Sequence, residues 1–194
     1  MKSASLSALF FFVVFEIVCW AAEPNAIRDK IAHDSSIQGY PCARGYAWFY
    51  PDGSLNECTV SRPVLFGNVH VPRGSVIQLW PNGAARYLNM PHAGLIAGYR
   101  VTSSSLSESE GNRTTFYPSG KLRSIFTRND KTIDGVPCRG VGNTLVESPG
   151  GANRVEFYED GKLQSCQLIR DYQGQKAGQR LTLPDEPVPL MAGR

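Results

Sequence analysis

Short apolar runs alternate with turn residues along this chain, and one arrangement recurs four times. An apolar or aromatic pair leads into a turn that ends in glycine, and a second short apolar run follows. The segments are Phe49-Tyr50-Pro51-Asp52-Gly53-Ser54-Leu55, Leu79-Trp80-Pro81-Asn82-Gly83-Ala84-Ala85, Phe116-Tyr117-Pro118-Ser119-Gly120-Lys121-Leu122 and Phe157-Tyr158-Glu159-Asp160-Gly161-Lys162-Leu163. Their glycines lie 30, 37 and 41 residues apart. Five residues after each glycine come Cys58, Leu88, Ile125 and Cys166, which marks a buried position. Strand, turn and shorter strand is the pattern of a β-hairpin. Two turns fit the glycine: a type I′ turn centred on Asp52-Gly53, or a type I turn with Pro51 second and Gly53 in a following bulge. The choice decides whether Phe49 or Tyr50 faces Leu55.

A second block precedes two of the units. Ile37-Gln38-Gly39-Tyr40-Pro41-Cys42 matches Ile133-Asp134-Gly135-Val136-Pro137-Cys138, and Val71-Pro72-Arg73-Gly74 is a trace of it in unit two. The units run over 37–62, 63–92, 93–130 and 131–170, with a partial fifth at 171–183 and a loose tail at 184–194. A lone hairpin is marginal in water, so successive hairpins must join edge to edge. The expected fold is all-β: an antiparallel meander of consecutive hairpin repeats, an elongated twisted sheet or an open barrel. Strands are expected at 44–50, 55–60, 75–80, 84–89, 96–102, 112–117, 122–127, 143–147, 153–158, 162–169 and 178–183. Residues 23–36 form a linker or a short helix, with the helical pattern at 24–33. Ser103 to Asn112 is a polar loop, and Ser148-Pro149-Gly150-Gly151 is a second turn.

The repeat resembles those of the MORN (membrane occupation and recognition nexus) superfamily, especially its bacterial antitoxin-like branch. Phe116-Tyr117-Pro118-Ser119-Gly120-Lys121-Leu122-Arg123 is the nearest unit. The resemblance implies a single-layer antiparallel sheet and a role in binding or scaffolding. The spacing here is longer than the 20 to 25 residues usual in those repeats, and the Pro-Cys blocks lie outside their pattern.

Residues 1–22 change the picture of where the protein works. Lys2, an apolar run from Leu6 to Val18 broken by Glu16, and small Ala21 and Ala22 have the layout of a secretory signal peptide. Cleavage after Ala21 places Cys19 at −3; cleavage after Ala22 places Trp20 there. An uncleaved anchor is the alternative, but the run is short for a span of about 20 residues and Glu16 makes spanning costly. The expected location is secreted or periplasmic, with a mature chain that does not span a membrane. Asn112-Arg113-Thr114 fits a glycosylation acceptor only in a eukaryotic source.

Cys42, Cys58, Cys138 and Cys166 then remain, and an even number after such a leader suggests disulfides. Units one and four each carry both cysteines while units two and three carry neither. Joint presence and absence predicts local pairing, Cys42–Cys58 and Cys138–Cys166, each contributing about 3 kcal/mol.

Composition adds little. The 194 residues are 42% hydrophobic and 19% charged, as in a folding chain. Lys and Arg number 20 against 17 Asp and Glu, too small an excess to argue for nucleic acid. Glycine and proline make up about one residue in six, as many short strands require. No Cys-x-x-Cys, Gly-x-Ser-x-Gly or phosphate-binding glycine loop is present. His33, His70 and His92 read as surface residues, and Glu108 and Glu110 as solvated charges. No catalytic, cofactor or metal residue is assigned. The possible binding residues are the aromatics Tyr46, Trp48, Tyr50, Trp80, Tyr117 and Tyr158, which either line an exposed sheet face or fill the core. The expected role is non-catalytic: structural, or binding a protein or glycan partner. The alternatives are a secreted inhibitor using loop 103–112, or an enzyme with an unrecognised site.

Overall fold

The computed structural model describes residues 26–102, 114–142 and 153–185. The signal-peptide expectation, the whole of the 103–112 loop, the 143–147 strand and the turn at 148–151 fall outside these residues. The described residues form eighteen strands and no helix. In chain order the first nine are β1 (Ile27–Ile31), β2 (Ser35–Ile37), β3 (Tyr40–Cys42), β4 (Gly45–Phe49), β5 (Leu55–Thr59), β6 (Val64–Phe66), β7 (Val69–Val71), β8 (Val76–Leu79) and β9 (Ala85–Asn89). The remaining nine are β10 (Gly94–Ile96), β11 (Tyr99–Val101), β12 (Thr114–Phe116), β13 (Leu122–Ile125), β14 (Lys131–Ile133), β15 (Val136–Cys138), β16 (Val155–Phe157), β17 (Leu163–Gln167) and β18 (Arg180–Thr182).

Ten strands make one antiparallel sheet in the order β1-β4-β5-β8-β9-β12-β13-β16-β17-β18. The sheet is open, with β1 and β18 at its edges. Four further ladders, β2-β3, β6-β7, β10-β11 and β14-β15, precede the sheet hairpins in sequence. Each unit is therefore two hairpins, a small front one and a larger one that joins the sheet.

The sheet hairpins share one turn. The Gly53 N–H donates to the Tyr50 carbonyl at 2.9 Å, and the Tyr50 N–H donates to the Ser54 carbonyl at 2.8 Å. Gly53 sits at φ +83°, the left-handed region that glycine enters without steric cost. This is the type I turn with a glycine bulge, and Pro51 pre-sets its second position. Phe49 consequently stands opposite Leu55. The same bonds recur at Trp80–Ala84, Tyr117–Lys121 and Tyr158–Lys162. One residue later the register slips in all four hairpins, so that Asn56, Arg86, Arg123 and Gln164 have no residue directly opposite in the hairpin ladder. Such bulges sharpen the right-handed twist of a sheet.

The front hairpins turn differently. Gln38-Gly39, Ala97-Gly98 and Asp134-Gly135 have positive φ at both central residues, as a type I′ turn requires. In the front turn of unit two, Gly67-Asn68, only the first central residue has positive φ, the pattern of a type II′ turn with glycine first. The second sequence block is thus present in every unit, as Phe66-Gly67-Asn68-Val69 in unit two and Ile96-Ala97-Gly98-Tyr99 in unit three. The trace at Val71–Gly74 is corrected accordingly. So is the 96–102 strand, which is two strands parted by the Ala97-Gly98 turn. Tyr172-Gln173-Gly174-Gln175 closes the same way and begins the partial fifth unit that ends in β18.

The short helix expected at 24–33 is also corrected. Residues 27–31 are β1, which pairs with β4 from Ile27–Phe49 to Ile31–Gly45. Its sequence, IRDKI, weighs little toward a helix against five residues of sheet pairing.

The core lies between one face of the sheet and the row of front hairpins. Leu55, Ile77, Leu79, Leu88, Ile125 and Leu163 of the sheet pack in one buried cluster with Phe66, Val71, Ile96, Ile133 and Val136 of the front hairpins. The positions five after each turn glycine are all buried within it. Cys42–Cys58 and Cys138–Cys166 are disulfides with Cα atoms 5.7 and 5.6 Å apart, and each ties a front hairpin to its sheet hairpin. Bridges from Cys42 to Val60 and from Cys138 to Leu168 fold the front hairpins back for this.

Candidate binding face

The opposite face of the sheet carries one continuous line of side chains. Arg28 stands opposite Trp48, Trp48 opposite Glu57, Glu57 opposite Gln78, and Gln78 opposite Tyr87. The line continues through Thr115, Ser124, Glu156 and Ser165 to Thr182.

Much of this line is satisfied internally. The Tyr87 hydroxyl donates to the Glu57 carboxylate. The Thr115 and Ser124 hydroxyls share a hydrogen bond at 2.7 Å. Glu156 Oε2 accepts from Ser165 Oγ and from Arg180 Nη2, each at 2.6 Å. Burial pushes the Glu156 carboxyl up, but these two hydrogen bonds and the charges of Arg180 and Arg154 outweigh it. The net effect holds it below the usual glutamate range.

The β1–β4 end differs. Tyr46 and Trp48 alternate onto this face and are 56% and 37% exposed. The Arg28 guanidinium lies 3.6 Å from the Tyr46 ring centroid and 5.8 Å from that of Trp48. Lys30 stands opposite Tyr46. Two rings and two cations form an open patch.

The other four aromatics are placed elsewhere. Tyr50, Trp80, Tyr117 and Tyr158 each precede a sheet-hairpin turn and send a polar atom into the next unit. Tyr50 Oη donates to the Leu79 carbonyl at 2.7 Å, and Trp80 Nε1 to that of Phe116 at 3.2 Å. Tyr117 Oη donates to the Phe157 carbonyl at 2.8 Å, and Tyr158 Oη to that of Leu183 at 2.6 Å. Tyr50 is buried and the others half-buried. Burial raises the Tyr50 and Tyr117 hydroxyls above the ordinary tyrosine range. These residues staple successive units, each bond satisfying a carbonyl at the sheet rim. The six aromatics are therefore two sets: four that join units and two that meet solvent. Sequence reasoning missed Arg28, because the helix expected at 24–33 hid its place beside Tyr46.

Turn, bulge and inter-unit bond thus recur in all four units. Residues 109–130 match the family model for the MORN repeat variant. The chain thus carries a MORN-like repeat in unit three, and the other units reproduce its hairpin. No curated protein and no solved structure matches the chain.

Among the described residues, no group of three or more His, Cys, Asp or Glu side chains is placed to hold a metal ion. His33, His70 and His92 are exposed. No helix of the described residues is long and apolar enough to cross a membrane. The two disulfides are compatible with an extracellular or periplasmic location.

Proposed function

We propose that this is an exported, non-catalytic binding protein that holds a protein partner on the β1–β4 end of its uncovered sheet face. The carrying observation is the exposed Arg28, Tyr46 and Trp48 patch on a sheet whose other polar side chains largely bond to one another. Trp, Tyr and Arg are the residue types that dominate binding energy in protein interfaces. The strands fix them before binding, so little ordering entropy is lost. A protein is favoured over a glycan because Arg28 already covers the face of the Tyr46 ring on which a sugar would stack. The MORN-like repeat supports binding over catalysis.

The test is affinity capture from envelope and secreted fractions of the source cells, with wild type and the Tyr46→Ser/Trp48→Ser variant compared by quantitative mass spectrometry. A protein recovered in near-equal amount with the wild type and depleted about tenfold or more with the variant is expected. Identical recoveries sink the proposal, as does retention on a glycan array that depends on the same two rings.

A further inference from the structure

Units that share a backbone allow the same position to be compared within one molecule. In units one and four, the N–H two residues beyond the sheet-turn glycine donates to the front hairpin of its own unit. In unit four the Asp134 carboxylate, at the front turn, accepts that N–H from Leu163 at 2.7 Å. In unit one the Gln38 amide oxygen accepts it from Leu55 at 3.2 Å. In unit three the same turn position is Ala97, which has no polar atom to offer Leu122.

A cleft of about 400 Å³ opens at this place, within the range of small-molecule sites. Ile96, Tyr99, Phe116, Leu122 and Phe157 give it an apolar lining, and Lys121 stands at its rim. Lys121 is exposed, and no ion pair to it is present among the described residues. Its counterpart in unit four, Lys162, feels both Asp160 and Asp134. The Asp160 carboxylate also borders the cleft; it pairs with Lys162 at 2.8 Å, and its charge interacts with that of Lys121 as well.

Unit three therefore has the lysine and the backbone donor of unit four without the carboxylate that completes them. The geometry points to a binding site for a small apolar carboxylic acid, in its ionised form. One carboxylate oxygen accepts from the Leu122 N–H in the manner of Asp134, and the Lys121 ammonium pairs with the charge. The apolar body lies over Phe116 and Phe157. An alcohol or amine of the same length lacks the acceptor pair or carries the wrong charge. The site is on the core side of the sheet, so it is separate from the Tyr46 and Trp48 patch.

The probe is sodium octanoate, titrated into the ¹⁵N-labelled, oxidised full chain and followed by amide chemical shifts. Saturable shifts are expected at Gly98, Lys121 and Leu122, with none from octylamine. Lys121→Gln is expected to weaken binding about tenfold, the loss of one charge-assisted contact. Ala97→Asp supplies the missing carboxylate from within and is expected to abolish binding while the fold is kept or stabilised, since aspartate tolerates the left-handed turn position. Trp48→Ser is expected to bind octanoate unchanged, which separates this site from the partner face. Linear, non-saturating shifts, equal shifts with octylamine, or undiminished binding by Lys121→Gln would each overturn the inference. So would a folded Ala97→Asp protein that binds like wild type.

Discussion

Tyr117 shows how much one atom matters here. Its hydroxyl donates to the Phe157 carbonyl of unit four, across 40 residues of sequence. Tyr117→Phe keeps the ring and leaves the Phe157 carbonyl without its donor, so a loss of about 1 kcal/mol is expected in thermal unfolding. Gly140 sits tighter still. A Cβ there would lie 2.3 Å from the Asn129 carbonyl carbon, and backbone cannot yield as a side-chain tip can. Gly140→Ala is expected to cost several kcal/mol or to prevent folding, read from the denaturant midpoint. Glu156 sets an acid limit. Its folded form binds a proton less readily than the unfolded chain, so its contribution is complete above the ordinary glutamate range of about 4.3. That contribution disappears as pH falls through the lower folded value. Melting temperature plotted against pH is expected to fall less steeply on the acid side for Glu156→Gln. The aromatic positions were legible in the sequence as a repeat. Their partners were not, because a carbonyl in the following unit leaves no local mark.

At the level of the hairpin, the large turns were readable and the small ones only half so. Pro-Asp-Gly and Pro-Asn-Gly announce themselves through backbone chemistry. The front hairpins have three-residue strands, too short for alternation to register, and Ala97 at φ +49° is not a residue that signals a left-handed turn. Units one and four were visible because Gln38-Gly39 and Asp134-Gly135 carry ordinary turn composition. The cysteine pairing followed from which units hold cysteines at all, and both pairs sit at bonding distance. Opening either bridge by paired Cys→Ser replacement is expected to cost about 3 kcal/mol, with Cys138–Cys166 slightly the greater because it closes 28 residues rather than 16. Non-reducing peptide mapping checks the connectivity directly.

For the molecule as a whole, the meander was legible because every hairpin adds to the edge left by the one before. The extra edge strand was not, since β1 owes its conformation to Tyr46 and Trp48 across the ladder. An open sheet invites further pairing at its ends. Asp29 stands on the core-side face of β1 opposite Ala47, and its side chain is exposed. An incoming strand would have to bury this carboxylate. Asp29→Val is expected to shift the protein toward self-association, measured by sedimentation velocity across a concentration series.

The bridges fall in the first and last full units and skip the two between. Linear arrays of repeats ordinarily fray from their termini inward. Here both termini are bolted, and the slack sits at the midpoint. Amide protons around Phe66 and Ile96 should therefore trade with deuterium sooner than those around Cys42 and Cys166, an ordering that reduction would reverse. The cleft beside Lys121 then sits where an unbridged repeat meets a bridged one.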